Sequence, residues 1–294
     1  MSKEIFINPF TDFGFKKLFG EESSKPQLIS FLNSILPQHH QVTSLEYTKN
    51  EYQGLTEFDR KAILDISCKT PSGETIIIEL QKAKQNYFKD RSLYYSSFPI
   101  IQQAQKGEWN YKLNAVYTIA ILDFTFSEDN DSNTVVHTVQ LKDQNNKLFY
   151  DKLMFVYLTL PNFNKTEKEL VSNQDKWFYL FKNLAYCDDI PDIYKKDKLF
   201  EDIFEKAKLA KFNQLEHSIY INSLKEYLDL FNTFRTATSE AEAKGIMQGR
   251  AEGRIEGELQ AKLVIAKNLK NLNLPLENIM QVTGLTKEQI ETIF

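Results

Sequence analysis

The chain has 294 residues, of which 42% are hydrophobic, 26% charged and 13% aromatic, with 22 Phe and 14 Tyr against only 10 Gly and 8 Pro. That balance excludes disordered, collagen-like and low-complexity classes and allows one large domain or two smaller ones around a buried core. A formal charge of -4 argues against a simple basic nucleic-acid sponge, although a local patch or a bound cation offsets a mildly acidic total. Two cysteines, Cys68 and Cys187, cannot build a disulfide framework, and His39, His40, His137 and His217 show no metal-ligand spacing with them, which speaks against zinc. No stretch approaches the ~18 uncharged apolar residues of a membrane helix, and M-S-K-E-I-F-I-N-P-F lacks the apolar run and cleavage site of an export signal. A cytoplasmic protein with no membrane partner is expected.

In chain order, Thr11 reads as the N-cap of a short helix carrying Phe13, Leu18 and Phe19 and stopped by Gly20. Pro26 to Leu36 has apolar residues at helical spacing and ends at Pro37. Three strands follow, Leu45 to Gln53, Ala62 to Thr70 and Thr75 to Gln81, the last two joined as a hairpin by Pro71, Ser72 and Gly73. Phe88 to Lys106 reads as a helix ending at Gly107, with Pro99 predicting a kink or break near Phe98. Ala115 to Phe124 is apolar almost throughout, as in a strand covered on both faces at the centre of a sheet. Val135 to Leu141 and Leu153 to Leu160 are further strands, with the polar S-E-D-N-D-S-N before them as a loop.

From Trp177 the pattern becomes helical: Trp177 to Tyr186, Lys198 to Phe212, and a long run from Gln214 to about Lys270 interrupted near Thr238. Gly245, Gly249, Gly253 and Gly257 recur every four residues, which suits close approach of a second helix, and so a homodimer through the C-terminal helices, or else a frayed connector. The end of the chain predicts two short helices with a turn at Gly284 and a capping box from Thr286 and Gln289. The fold class expected is α/β, a mixed central sheet flanked by helices, then an all-α region. The expected divisions are 1–165, 166–238 and 239–294.

The chemistry concentrates in D-R-K-A-I-L-D-I-S-C-K-T-P-S-G-E-T-I-I-I-E-L-Q. Asp65 and Glu79 each interrupt an apolar strand, and a buried carboxylate needs a partner, a metal or a raised pKa. A three-residue loop sets Thr70 against Glu74 and Asp65 against Glu79, with Gln81 on the same face, whereas a two-residue loop would set Asp65 against Leu80. Facing carboxylates of this kind suit Mg2+ or Mn2+, with water and a substrate phosphate completing the shell. The alternative is an ordinary salt bridge from Asp65 to Arg60, Lys61 or Arg91. Lys82, Lys84, Lys89 and Arg91 form the densest basic run, suited to DNA backbone contacts or to plain solvation. Arg91 and Tyr94 share a helical face, where the guanidinium would clamp a phosphate or else hold Asp65 or Glu79.

The order helix, strand, Asp-bearing strand, E-x-Q strand, helix, apolar strand resembles the PD-(D/E)XK nuclease superfamily. N-P-F-T-D-F-G-F-K-K-L-F-G, L-D-I, I-I-I-E-L-Q, F-K-D-R-S-L-Y-Y-S-S and the glycine-repeat tail resemble, more closely, the Rpn family of recombination-promoting nucleases and transposase-like proteins. The resemblance covers most of the chain, most strongly at 8–20 and 60–125. It implies a magnesium-dependent DNA endonuclease with a PD-(D/E)XK, restriction-endonuclease-like core, and Asp65, Glu79 and the Leu80 backbone carbonyl as metal ligands. Gln81 stands where the motif has lysine, a departure from the superfamily pattern; it cannot carry a proton and could only orient water. Lys84 is placed to reach the site, and Asp12 corresponds to an acidic residue of the family's first helix, with a role at the metal or simply beside the helix dipole. The competing expectations are a disabled nuclease acting as a DNA-binding or regulatory protein, and a self-associating scaffold.

Overall fold

The computed structural model describes residues 5–52, 62–104, 107–126 and 133–291. Helix α1 (Asp12–Phe19) begins as its sequence predicts: the Thr11 hydroxyl accepts from the Gly14 N–H at 3.0 Å, and Gly20 caps the end. The same hydroxyl donates to the Asn8 carbonyl at 2.7 Å, and a Cβ on residue 14 would stand 2.2 Å from that oxygen, so the turn closes only around glycine. Helix α2 (Lys25–Ile35) buries Leu28, Phe31, Leu32 and Ile35 before Pro37.

Two expected strands are divided. Leu45 to Gln53 yields β1 (Glu46–Tyr47) and β2 (Glu51–Tyr52) in different sheets, with Gln53 outside the described residues. Ala62 to Thr70 yields β3 (Ala62–Ile63), which pairs with β2, and β4 (Ile66–Lys69), which stays in the main sheet. The break falls at Leu64 and Asp65, where the Leu64 N–H turns to the Asn50 carbonyl at 2.7 Å. Strand β5 (Thr75–Gln81) keeps the predicted bounds and joins β4 through the expected three-residue loop: Thr70 N–H reaches the Glu74 carbonyl at 3.0 Å, and Gly73 takes φ +89°.

Helix α3 (Phe88–Ile101) contains Pro99 and stops at Ile101 instead of running on to Lys106, which lies outside the described residues. A proline ring lacks the donor and crowds the carbonyl four residues back, so the helix survives less than one further turn. Strand β6 (Val116–Leu122) is buried at every residue and sits, as expected, at the sheet centre. Strand β7 (Val136–Lys142) is an edge, and β8 (Leu148–Thr159) starts five residues earlier than predicted because its exposed first half pairs with β7. Most of the polar loop predicted after Phe126 falls outside the described residues.

The main sheet runs β1-β4-β5-β6-β8-β7, with β6 parallel to both neighbours. One face, through Ile76, Ile78, Ile119 and Val156, packs with α1, α2, α4 (Asn173–Asn183) and α5 (Lys198–Ala207), whose Phe19, Phe31, Trp177 and Phe181 interlock. Burying such large rings is worth roughly 1.5–3 kcal/mol each before entropy is set against it. The other face carries Ile77, Val116 and Leu122 against α3.

Helix α6 (Gln214–Asn271) is continuous through Thr238, where an interruption was predicted. Thr238, Ser239 and Glu240 include neither Pro nor Gly, and a Thr or Ser costs only about 0.7 kcal/mol at most in a helix. The chain divides into Met1–Phe231 and Asn232–Phe294. In the second unit α7 (Leu276–Thr283) ends at Gly284 with φ +68°, α8 (Lys287–Glu291) follows the predicted Thr286 and Gln289 capping box, and Ala266, Ile279, Leu285 and Ile290 form a small core. Among the described residues no helix is long and apolar enough to cross a membrane.

Candidate active site

The β4 and β5 register pairs Ile66 with Ile78, and one more step sets Asp65 opposite Glu79. The step beyond would pair Leu80 with Leu64, but Leu64 has left the sheet. The Leu80 N–H is taken instead by Asp65 Oδ2 at 2.6 Å, so the aspartate fills the hydrogen-bonding gap made where its own strand departs. The backbone N–H of Asp65 in turn bonds the Glu79 carboxylate, tying the two acids into one unit. Glu79 shares the face of Ile77 by strand alternation, toward α3.

This geometry sets the electrostatics. Burial pushes the Glu79 carboxyl up to about 8, with the Asp65 charge adding to the rise and the Arg91 guanidinium and Asp65 N–H opposing it. Asp65 is also raised, chiefly by burial, against the Leu80 N–H; Asp12 adds to the rise while Lys16 and Lys82 oppose it. Glu79 Oε1 is buried with no hydrogen-bond partner among the described residues. A buried acceptor in that state costs about 1–3 kcal/mol, which a cation would relieve.

The donor set fits a hard divalent ion: two carboxylates across adjacent strands, one oxygen orphaned, and the Leu80 carbonyl lying past the last β4 and β5 pair. Among the described residues no group of three or more His, Cys, Asp or Glu is arranged for a metal, so water and substrate oxygens would have to complete the shell. Asp12, raised above as a further ligand, sits in the first turn of α1, exposed and paired with Lys16 at 2.8 Å. Its charge reaches Asp65 and adds to the rise in that carboxyl's pKa.

Gln81 is buried, but both ends of its amide are engaged: Oε1 accepts from Arg91 Nη2 and Nε2 donates to the Ala83 carbonyl at 3.0 Å. The amide of Gln81 thus holds Arg91 and the turn at Ala83. That guanidinium also donates to Gln85 and lies over the rings of Phe88 at 5.4 Å and Tyr95 at 5.8 Å. It does not bridge Asp65 or Glu79, and the alternative partners Arg60 and Lys61 lie outside the described residues. Tyr94 turns to Phe98, ring centroids 5.0 Å apart, so Tyr95 and not Tyr94 accompanies Arg91. Lys82 is half-buried near Asp65, and Lys84 is exposed beside Tyr87.

Asp123, near the end of the apolar run from Ala115 to Phe124, carries no motif that marks it in the sequence. It follows β6 beside Gln81, whose carbonyl accepts its N–H at 3.0 Å, and Tyr227 donates to its carboxylate at 2.9 Å. Burial raises it to about 6 against that bond and the Lys182 charge. Asp123, Lys182 and Tyr227 line a cavity of about 430 Å³ with Asn8 and Tyr186.

No curated protein and no solved structure matches the chain. Residues 9–237 match the family described as PD-(D/E)XK nuclease family transposase, a span that holds α1, the hairpin with Asp65 and Glu79, α3 and the whole main sheet. The chain belongs to the PD-(D/E)XK nuclease family transposases.

Proposed function

We propose that this chain is a DNA endonuclease that hydrolyses phosphodiester bonds with Mg2+ or Mn2+ held by Asp65 and Glu79. The observation that carries the reading is the buried carboxylate pair itself, mutually repelling and raised in pKa, with one Glu79 oxygen lacking a hydrogen-bond partner among the described residues. A bound divalent ion supplies charge stabilisation at the phosphate and a lowered pKa for an attacking water. The chain's own residues do the rest. Asp65, fixed through the bond from the Leu80 N–H to its Oδ2, would offer its other oxygen to the ion. Gln81 pins Arg91, whose two bonds to glutamines leave N–H groups of its five for a phosphate oxygen. Lys82 and Lys84 add positive charge along the same approach.

Plasmid incubated with purified protein and Mg2+ tests this: nicking that Asp65→Asn and Glu79→Gln each abolish supports it, and nicking that survives both refutes it. The engaged amide of Gln81, standing where the motif has a proton-carrying lysine, favours a second reading, a metal-binding but non-cleaving DNA-binding or regulatory protein. Calorimetric Mg2+ binding without any nicking would select that reading. Association of two copies through the C-terminal helices belongs to the same proposal. A Cβ added at Gly245, Gly249, Gly253 or Gly257 meets nothing within 4 Å, and light scattering of a chain ending near Ser239 tests the dimer.

A further inference from the structure

Past the end of β5 the chain runs through Lys84 and Asn86 to Tyr87, and with Phe124 and Phe126 it encloses a cleft of about 350 Å³. Its floor is aromatic: Phe88 and Phe124 are buried edge-to-face at 5.9 Å, and Phe126 packs edge-on to Tyr157 at 5.6 Å. The Lys89 ammonium stands 4.9 Å from the Phe126 centroid. Tyr87 projects at the rim with 79% of its surface exposed, on a backbone held at φ +60°, where a bulky side chain is unfavourable. Lys84 and Lys89 against Asp90 leave the lining net positive. The cleft adjoins the carboxylates. Arg91, which lies over Phe88, bonds Gln81, and the five residue-to-residue steps from Glu79 to Lys84 span at most about 18 Å of chain.

An exposed aromatic ring, an apolar floor and two lysines beside a phosphate-hydrolysing site match one occupant chemically, a heteroaromatic base carried on an anionic backbone. Bases inside a duplex already stack on one another and offer no face to Tyr87; an unpaired base does. Resting on the nuclease reading above, we propose that this cleft holds an unpaired nucleotide, with Tyr87 stacking on the base and Lys84 and Lys89 meeting the phosphates. The substrate class of the site is then single-stranded or locally opened DNA.

The test uses full-length protein and a single-stranded oligonucleotide carrying 2-aminopurine, alongside the same sequence in duplex, in EDTA so that no cleavage enters. Binding is followed by anisotropy and stacking by 2-aminopurine quenching. The single strand is expected to bind more tightly than the duplex and to be quenched. Tyr87→Phe keeps both effects, while Tyr87→Asn, chosen because asparagine tolerates a positive φ, weakens binding about 5- to 100-fold and abolishes the quench. Lys84→Gln lowers the salt slope of single-strand binding by about 0.7. Equal affinity for the two DNA forms overturns the proposal, as does a quench that survives Tyr87→Asn in protein of unchanged circular dichroism. If Tyr87→Asn does not fold, the wild-type comparison of strand against duplex still decides. Plasmid nicking without base stacking sinks the cleft alone, and stacking without nicking sinks the nuclease reading alone.

Discussion

Proton release on metal binding follows directly from the buried pair. With Glu79 held at about 8, about one site in ten is ionised there at pH 7, yet a cation needs the carboxylate charged. Each Mn2+ or Mg2+ ion bound at pH 7 should therefore expel about 0.9 proton from Glu79, and the apparent Kd should fall about tenfold from pH 6 to 7, then level off above 8. Isothermal titration calorimetry in buffers of different ionisation enthalpy reads both quantities. The same shift governs stability without metal. A folded-state pKa raised above the ordinary 4.5 means that stability is fully present below pH 4.5 and is lost as pH rises through about 8, by an upper bound of about 5 kcal/mol. Added Mg2+ should restore part of that loss at pH 8 and little at pH 5. Glu79→Gln should remove the pH dependence along with most of the affinity. A Kd that is flat from pH 6 to 8, with no proton released, would show that Glu79 is not a ligand with a carboxyl raised to about 8.

Other variants probe the surroundings of the pair. Arg91→Ala strands the buried Gln81 oxygen and removes the charge that restrains Glu79, so urea unfolding should show a loss of about 1–3 kcal/mol together with weaker metal binding; Arg91→Lys should restore little, because lysine lacks the planar fork. Asp123, raised to about 6, withholds stability as pH climbs from 3.8 through 6, so Asp123→Asn should be the more stable form at pH 7.5, by up to about 3 kcal/mol, and the advantage should vanish near pH 3.5. An asparagine variant less stable at pH 7.5 would contradict that sign. Gly73→Ala forces a Cβ at φ +89° to within 2.6 Å of the Asn114 side-chain nitrogen, and a drop of about 1–3 kcal/mol in chemical denaturation is expected.

What the sequence revealed and what it hid have physical causes. The hairpin was legible because a Pro-Ser-Gly loop admits few geometries, and its length alone set Asp65 against Glu79. Helix α1 was legible through its cap, and β6 through an unbroken apolar run. The division of the strands at Thr48–Asn50 and at Asp65 was hidden, since which sheet a strand joins depends on partners distant in the chain, such as Asn50 for Leu64. At the site, residue types announced the carboxylates, but the engagement of Gln81 by Arg91 depends on the path from β5 into α3 and could not be read from spacing. Asp123 and Tyr227 are 104 positions apart, and only folding brings them within 2.9 Å. The aromatic cleft draws on two segments, the turn into α3 with its first residues and the stretch just past the end of β6, that lie more than thirty positions apart, each unremarkable alone.

The carboxylate pair can be examined directly in a crystal of the protein soaked in manganese, with data collected at the metal's absorption edge. A single anomalous peak about 2.1 Å from an oxygen of both Asp65 and Glu79, lost in Glu79→Gln, is the result the account predicts. Ordered side chains with no peak between them, at manganese concentrations that saturate nuclease controls, would contradict it.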